Sequence, residues 1–143
     1  MNSFCFSQSI FKEEIGPCLT ERFVLDKDTV QAELENDKLL KIICDNLKPK
    51  LLEKLKGKMY LQVIVYNSGN SCLMSVFNNT NFTTNELNIK EIVNDKIKWE
   101  TLEDKSVCAI IFLSFDKKFR TIKRYGYFYG KGYVEINSYT ENK

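Results

Sequence analysis

Five cysteines, seven tyrosines and a lysine- and arginine-bearing tail are the residues of this chain whose types can do chemistry, and no histidine stands among them. Without an imidazole, Ser-His-Asp and Cys-His dyads, most zinc sites and the commonest general base at neutral pH are excluded. Carboxylate, lysine or tyrosine chemistry remains. The thiols, Cys5, Cys18, Cys44, Cys72 and Cys108, are scattered, odd in number and contain no Cys-x-x-Cys pair. The N-terminus has no signal-peptide architecture, so the expectation is free thiols in a reducing, cytoplasmic compartment. Cys44 and Cys108 fall on apolar stretches and read as small core residues. The carboxylate pairs Glu13 and Glu14, Glu33 and Glu35, and Glu103 and Asp104 lie on expected exposed faces or turns beside lysines, where solvation and weak ion pairing account for them. Gly126, Gly130 and Gly132 lack both the spacing and the following helix of a phosphate loop. The expectation is a protein that is not an enzyme and holds no cofactor or metal.

The tail, Lys117 to Lys143, supports a different chemistry. Arg120, Lys123, Arg124 and Lys131 could meet phosphates while Tyr125, Tyr127 and Tyr133 stack on bases. Lys131-Gly132-Tyr133-Val134-Glu135-Ile136 echoes the RNP1 pattern of RRM domains, although an RRM needs a helix and a strand after it and seven residues follow Ile136 here. The alternative is a hairpin whose tyrosines pack on their own sheet with hydroxyls in water. A net charge of +2 is too small for wholesale polyanion binding. Asn78-Asn79-Thr80 and Asn81-Phe82-Thr83 match the glycosylation sequon but read as an Asn-rich loop.

The elements that would carry these residues follow from periodicity. With 143 residues, 43% of them hydrophobic, the chain suffices for one domain with a real core. Ile10, Phe11, Ile15, Cys18, Leu19 and Phe23 recur at helical steps, with Gly16-Pro17 bending or splitting the helix. Asp28 and Gln31 have capping-box spacing and would open a second helix carrying Leu39, Leu40, Ile43, Cys44, Leu47, Leu51, Leu52 and Leu55. Pro49 makes that helix kinked or two abutting pieces, and Gly57 supplies a stop. Met59 to Tyr66 and Ser71 to Phe77 are strands joined by the turn Asn67-Ser68-Gly69-Asn70. A polar loop follows to Asn85, then a short helical or extended insert from Glu86 to Val93. Ile97, Trp99 and Thr101 alternate as a half-exposed strand, Glu103-Asp104-Lys105 turns, and Val107 to Phe115 is a central buried strand. Gly130-Lys131-Gly132 divides the tail into an appended hairpin. No apolar run approaches the ~20 residues of a membrane span.

Two helices followed by a four-strand antiparallel run is the order of the Tctex-type dynein light chains, and local segments resemble that family. Ile10-Phe11-Lys12-Glu13-Glu14-Ile15 looks like the opening of its first helix. Leu51 to Leu55, followed by Lys58-Met59-Tyr60-Leu61-Gln62-Val63-Ile64-Val65, is similar to its second helix running into its first strand. Ser71-Cys72-Leu73-Met74-Ser75-Val76-Phe77 sits where its second strand would be, and Lys98-Trp99-Glu100 with Ser106 to Ile111 resembles its closing pair. The Trp-Asp that commonly ends the second strand is Phe77-Asn78 here, the loop to Asp95 is longer, and the tail after Phe115 has no counterpart.

The resemblance implies an α+β fold, two helices on an antiparallel sheet of about four strands in a core of residues 10–115, with 116–143 as a hairpin extension. It also implies a non-catalytic adaptor, a dimer with itself or a paralogue, that captures a dynein intermediate chain or cargo segment by strand addition. The expected site is the strand Ser71, Cys72, Leu73, Met74, Ser75, Val76 and Phe77, with Leu73, Val76 and Phe77 giving apolar contact. It places the chain in the cytoplasm, cytoskeletal or axonemal. The alternative is an RNA- or ribonucleoprotein-docking protein using the tail.

Overall fold

Between Gly57 and Asn142 five long segments rich in β-branched and aromatic residues pair side by side in one sheet. The computed structural model describes residues 9–18, 23–25, 32–101, 106–128 and 130–143. In chain order the elements are β1 (Glu13–Glu14), β2 (Phe23–Leu25), β3 (Ala32–Glu33), α1 (Asn36–Asn46), α2 (Pro49–Lys54), β4 (Gly57–Val65) and β5 (Ser71–Thr80). There follow the short helices α3 (Thr84–Leu87) and α4 (Ile89–Glu91), a π-helical turn (Ile92–Lys96), β6 (Glu100–Thr101), β7 (Ser106–Phe115), β8 (Phe119–Phe128) and β9 (Gly132–Asn142). The main sheet runs antiparallel in the order β1-β5-β4-β7-β8-β9, and β2 joins it by parallel pairing with the start of β7; β3 and β6 form a separate pair. The fold is therefore α+β, with more strands than the four expected and helices that are few and short.

One face of the sheet carries the main core. Leu61, Val63, Leu73, Val76, Ala109, Ile111, Leu113 and Ile122 meet Leu39, Leu40, Ile43, Cys44 and Leu47 of the helical layer. Pro49 does not kink one helix: Leu47 and Lys48 turn extended, and Pro49 opens α2 at a position where its missing N–H costs nothing. Gly57 is already inside β4 at φ 120°, and a Cβ there would overlap the carbonyl oxygen of Asn79. The long insert after β5 is helical and tightly capped. The Thr83 hydroxyl accepts from the Glu86 N–H at 3.0 Å while Glu86 accepts from the Thr83 N–H at 2.9 Å. These bonds to Thr83, its backbone N–H first, hold the Glu86 carboxyl below its usual range.

Several expectations are corrected. Residues 10–18 form no helix; they run extended, with Glu13 and Glu14 paired to β5, because ladder bonds to an open strand replace a helix already broken at Gly16-Pro17. Of the rest of that expected helix, 19–22 lie outside the described residues and Phe23 stands in β2; the Asp28–Gln31 capping box and the Glu103–Lys105 turn also lie outside them, but Ala32–Glu33 of the expected second helix is strand β3, and α1 starts only at Asn36. The strand expected over Ile97 to Thr101 is shorter: Ile97 and Trp99 are buried and Lys98 and Glu100 exposed, the alternation expected, but among the described residues the ladder pairing is of Glu100 and Thr101. The C-terminal hairpin is no appendage: β8 pairs with β7 from Ile110 to Phe115, and Ile122 is a member of the main core.

Candidate polypeptide-binding edge

β5 was the strand expected to receive a partner, and its outer side is occupied by its own chain. Glu13 and Glu14 pair with Val76 and Ser75, and the N–H groups of Ile15 and Gly16 both donate to the Met74 carbonyl, at 2.9 and 3.2 Å. Met74 is the extra residue where the β4–β5 register shifts between Gln62 and Val63. Farther along, the Leu73 N–H donates to Asn94 Oδ1 at 2.7 Å, and the Ser71 hydroxyl donates to the Val93 carbonyl at 2.7 Å and accepts from Trp99 Nε1 at 3.1 Å. Cys72 is bonded to Cys18. Leu73 and Val76 are fully buried in the main core, so they offer a partner no contact; Phe77, 45% exposed, lies on the opposite face. From Ser71 to Val76 the expected site is a closed internal strand.

The covering arm is held by side chains as well as ladder bonds. Gln62 and Ser75 are opposite one another on β4 and β5, both fully buried. Gln62 Oε1 accepts from the Ile10 N–H at 3.0 Å and from the Ser75 hydroxyl, and Ser75 Oγ accepts from the Phe11 N–H at 3.1 Å. The Cys18–Cys72 disulfide fixes the arm's far end, and Cys108 is disulfide-bonded as well. That corrects the expectation of free thiols and removes the argument it gave for a reducing compartment. Cys44 is the free cysteine among the described residues; burial pushes its thiol up to about 11.

The opposite border is different. β9 pairs with β8 from Gly132 to Asn142, and among the described residues no strand pairs with its other side. It is an 11-residue strand with Tyr133 and Tyr139 packed against the two core clusters and with Glu135, Asn137, Ser138, Thr140 and Asn142 exposed. Charges and a bulge temper the edge. Glu135 pairs with Lys123 at 3.2 Å and Glu141 with Arg120 at 3.4 Å, while the β8–β9 register shifts between Arg124 and Tyr125.

The tail's cations and tyrosines do not form one surface. Arg124 is 1% exposed, its guanidinium 5.3 Å from the centre of the Trp99 ring, and Ile122 beside it is in the helix-side core. Lys123 and Tyr125 lie on the other face. Lys123 sits 5.8 Å over the Phe112 ring, and its hydrogen bond to Glu135 raises its pKa. Lys131 is exposed at the hairpin turn, Tyr133 packs in the smaller cluster, and the Tyr127 side chain lies outside the described residues.

Unforeseen in the sequence is an aromatic group centred on Tyr60, whose ring lies 4.9 Å from Phe112, 5.8 Å from Phe11, 6.1 Å from Phe77 and 6.3 Å from Tyr125. Five separate segments supply it. Strand alternation could have placed each side chain on a face, but the pairing order that unites them was not legible.

Among the described residues no group of three or more His, Cys, Asp or Glu side chains could hold a metal ion, and no helix is long and apolar enough to cross a membrane. No family model, curated protein or solved structure matches the chain.

Proposed function

We propose that this protein is a non-catalytic binding module that takes an extended polypeptide onto β9, adding a strand to its sheet. The observation that carries this reading is that β9 pairs with β8 on one side while no strand among the described residues pairs with the other. An incoming strand satisfies edge N–H and C=O groups in pairs, and alternate side chains then lie on one face or the other. The Tctex-type role fits within it: a dynein intermediate chain or cargo segment as the guest, or a second copy or a paralogue pairing edge to edge, in the cytoplasm. Two features weigh against the family's own arrangement, namely the absence of helix over residues 10–18 and the closed β5 edge. The adaptor role therefore rests on β9.

Site-specific photocrosslinking tests it. A benzoylphenylalanine at Ser138 or Thr140, both exposed on β9, should trap one discrete polypeptide from native extract, or a second copy of the chain. The same probe at Asn79 of β5 should trap none. Crosslinks that favour β5, or that are absent at β9 in extracts where the protein is demonstrably bound, would end the reading.

A second reading keeps RNA as the guest, on different residues from those of the tail alone. Tyr60, Phe77 and Tyr125, with Lys123 beside them, present aromatic surface and a cation on one sheet face. Binding of a single-stranded oligonucleotide that weakens steeply with salt and is lost in Tyr60→Ala would favour it.

A further inference from the structure

The chain as a whole is nearly charge-balanced, with 21 basic and 19 acidic residues, yet one cleft is not. Between α2, the β7–β8 turn and the end of β9, a cavity of about 620 Å³ is lined by Lys54, Lys56, Lys117, Arg120 and Lys143, with Glu53 the one carboxylate among its described lining residues and Glu141 behind Arg120. Pro49 and Leu52 add apolar wall. The five cations come from three separate stretches of chain, brought together by the hairpin folding back beside α2. The backbone N–H of Lys143 donates to the Lys118 carbonyl at 2.8 Å and closes that corner. Asp116 is committed to the turn itself: its carboxylate accepts from the N–H groups of Phe119 at 2.7 Å and Lys118 at 2.8 Å, which hold it below its usual range.

Arg120 is the informative member. One Nη reaches Glu141 at 3.4 Å, a long contact, the side chain also interacts with the Cys44 thiol, and among the described residues its buried Nε has no hydrogen-bond partner. A guanidinium recognises phosphate through its planar fork of donors, and here that fork is incompletely used. Lysines around it supply point charges of the kind that hold neighbouring phosphoryl groups.

We propose that this cleft binds a compact anion carrying two or more phosphoryl groups, with Arg120 as the forked contact and Lys54, Lys56, Lys117 and Lys143 around it. A single phosphoryl dianion would leave most of these cations unmatched, whereas linked phosphoryl groups match them. The volume is that of a small-molecule site. The cleft borders the end of β9 through Lys143 but invokes no strand pairing there, so tripolyphosphate binding and polypeptide capture at the β9 edge are tested separately.

Titration of the full chain with inorganic tripolyphosphate, followed by backbone and arginine side-chain NMR, is the test. Shifts should concentrate at Lys56, Lys117, Arg120 and Lys143, and affinity should fall roughly tenfold or more between low and physiological salt. Lys56→Glu, at an exposed position that leaves the fold intact, should weaken binding by roughly tenfold. Arg120→Lys should weaken it severalfold although the charge is kept. Lys131→Glu, at the hairpin turn, should change nothing. Co-sedimentation with phosphatidylcholine vesicles containing a bisphosphorylated phosphoinositide separates the sources: sedimentation competed by tripolyphosphate identifies a lipid headgroup, and its absence a soluble ligand. Shifts spread over exposed lysines generally, an unaffected Lys56→Glu, or binding to RNA but not to tripolyphosphate would overturn the proposal.

Discussion

Gln62 and Ser75 face each other across β4 and β5, and together they bind the backbone of residues 10 and 11. Two buried polar side chains inside the sheet would be costly alone; linked to each other and to two arm N–H groups, they are satisfied. Ser75→Ala removes the acceptor for the Phe11 N–H and a donor to Gln62. A loss of about 1–3 kcal/mol is expected, with faster hydrogen exchange at Ile10, Phe11 and Ile15. Unchanged exchange at those amides would show that the pair does not hold the arm.

The disulfide anchoring the same arm can be isolated from the second one. The Cys18→Ser, Cys72→Ser double variant should unfold at a lower temperature by an amount corresponding to about 2–4 kcal/mol, for a bridge spanning 54 residues. Without reductant, Cys44 should react slowly with a thiol reagent before unfolding and quickly after it, while Cys18, Cys72 and Cys108 stay unreactive in both states. Equal melting temperatures for wild type and variant would remove the bridge from the stability account.

Gly57→Ala tests the junction between the helical layer and the sheet. The residue sits at φ 120° with the Asn79 carbonyl oxygen and Thr80 Cα where a Cβ would go. Both backbone strain and steric overlap oppose the change, so a destabilisation of at least about 2 kcal/mol is expected by denaturant titration. Gly130→Ala, at φ 84° in open surroundings, should cost less. A reversed order would contradict the close approach at β4.

Alkaline pH should act through Cys44. Burial raises its thiol pKa from 9.0 to about 11, so the folded state holds the proton more tightly than the unfolded chain does. Stability from this group is complete below pH 9 and is lost as pH rises through 11. The loss is on the order of 2 kcal/mol. Melting curves between those limits should slope less steeply in Cys44→Ala than in wild type, because tyrosine and lysine titrations are common to both. Identical slopes would refute the assignment.

How much of this was legible in the sequence depends on where the deciding contacts lie. β4, β5 and β7 were readable because dense β-branched runs bounded by Asn-Ser-Gly-Asn and Asp-Lys-Lys can hardly be anything else. The helical stripe from Leu39 was readable in phase, but its start was placed too early, since Ala32–Glu33 is strand and α1 begins at Asn36, and Pro49's effect was left between two geometries. The arm was misread because Ile10, Phe11 and Ile15 satisfy a helical period, while the groups that claim them are Gln62, Ser75 and Met74, more than fifty residues away. The same holds for the site. A strand's sequence does not say whether it is an edge: β5, expected to be open, is covered by Glu13 to Gly16, and among the described residues no strand pairs with the outer side of β9. The capping box at Thr83–Glu86 was a local signal that could have been found.

The bridge from Cys18 to Cys72 encloses α1, α2 and β4 within one covalent ring. A protease that nicks the chain anywhere inside that ring leaves a single molecule: the two fragments separate on a gel only after reduction. A single cleavage there adds only one water to the mass of the non-reduced molecule, so gel-based limited proteolysis of this protein reports on the ring only when paired with a reductant.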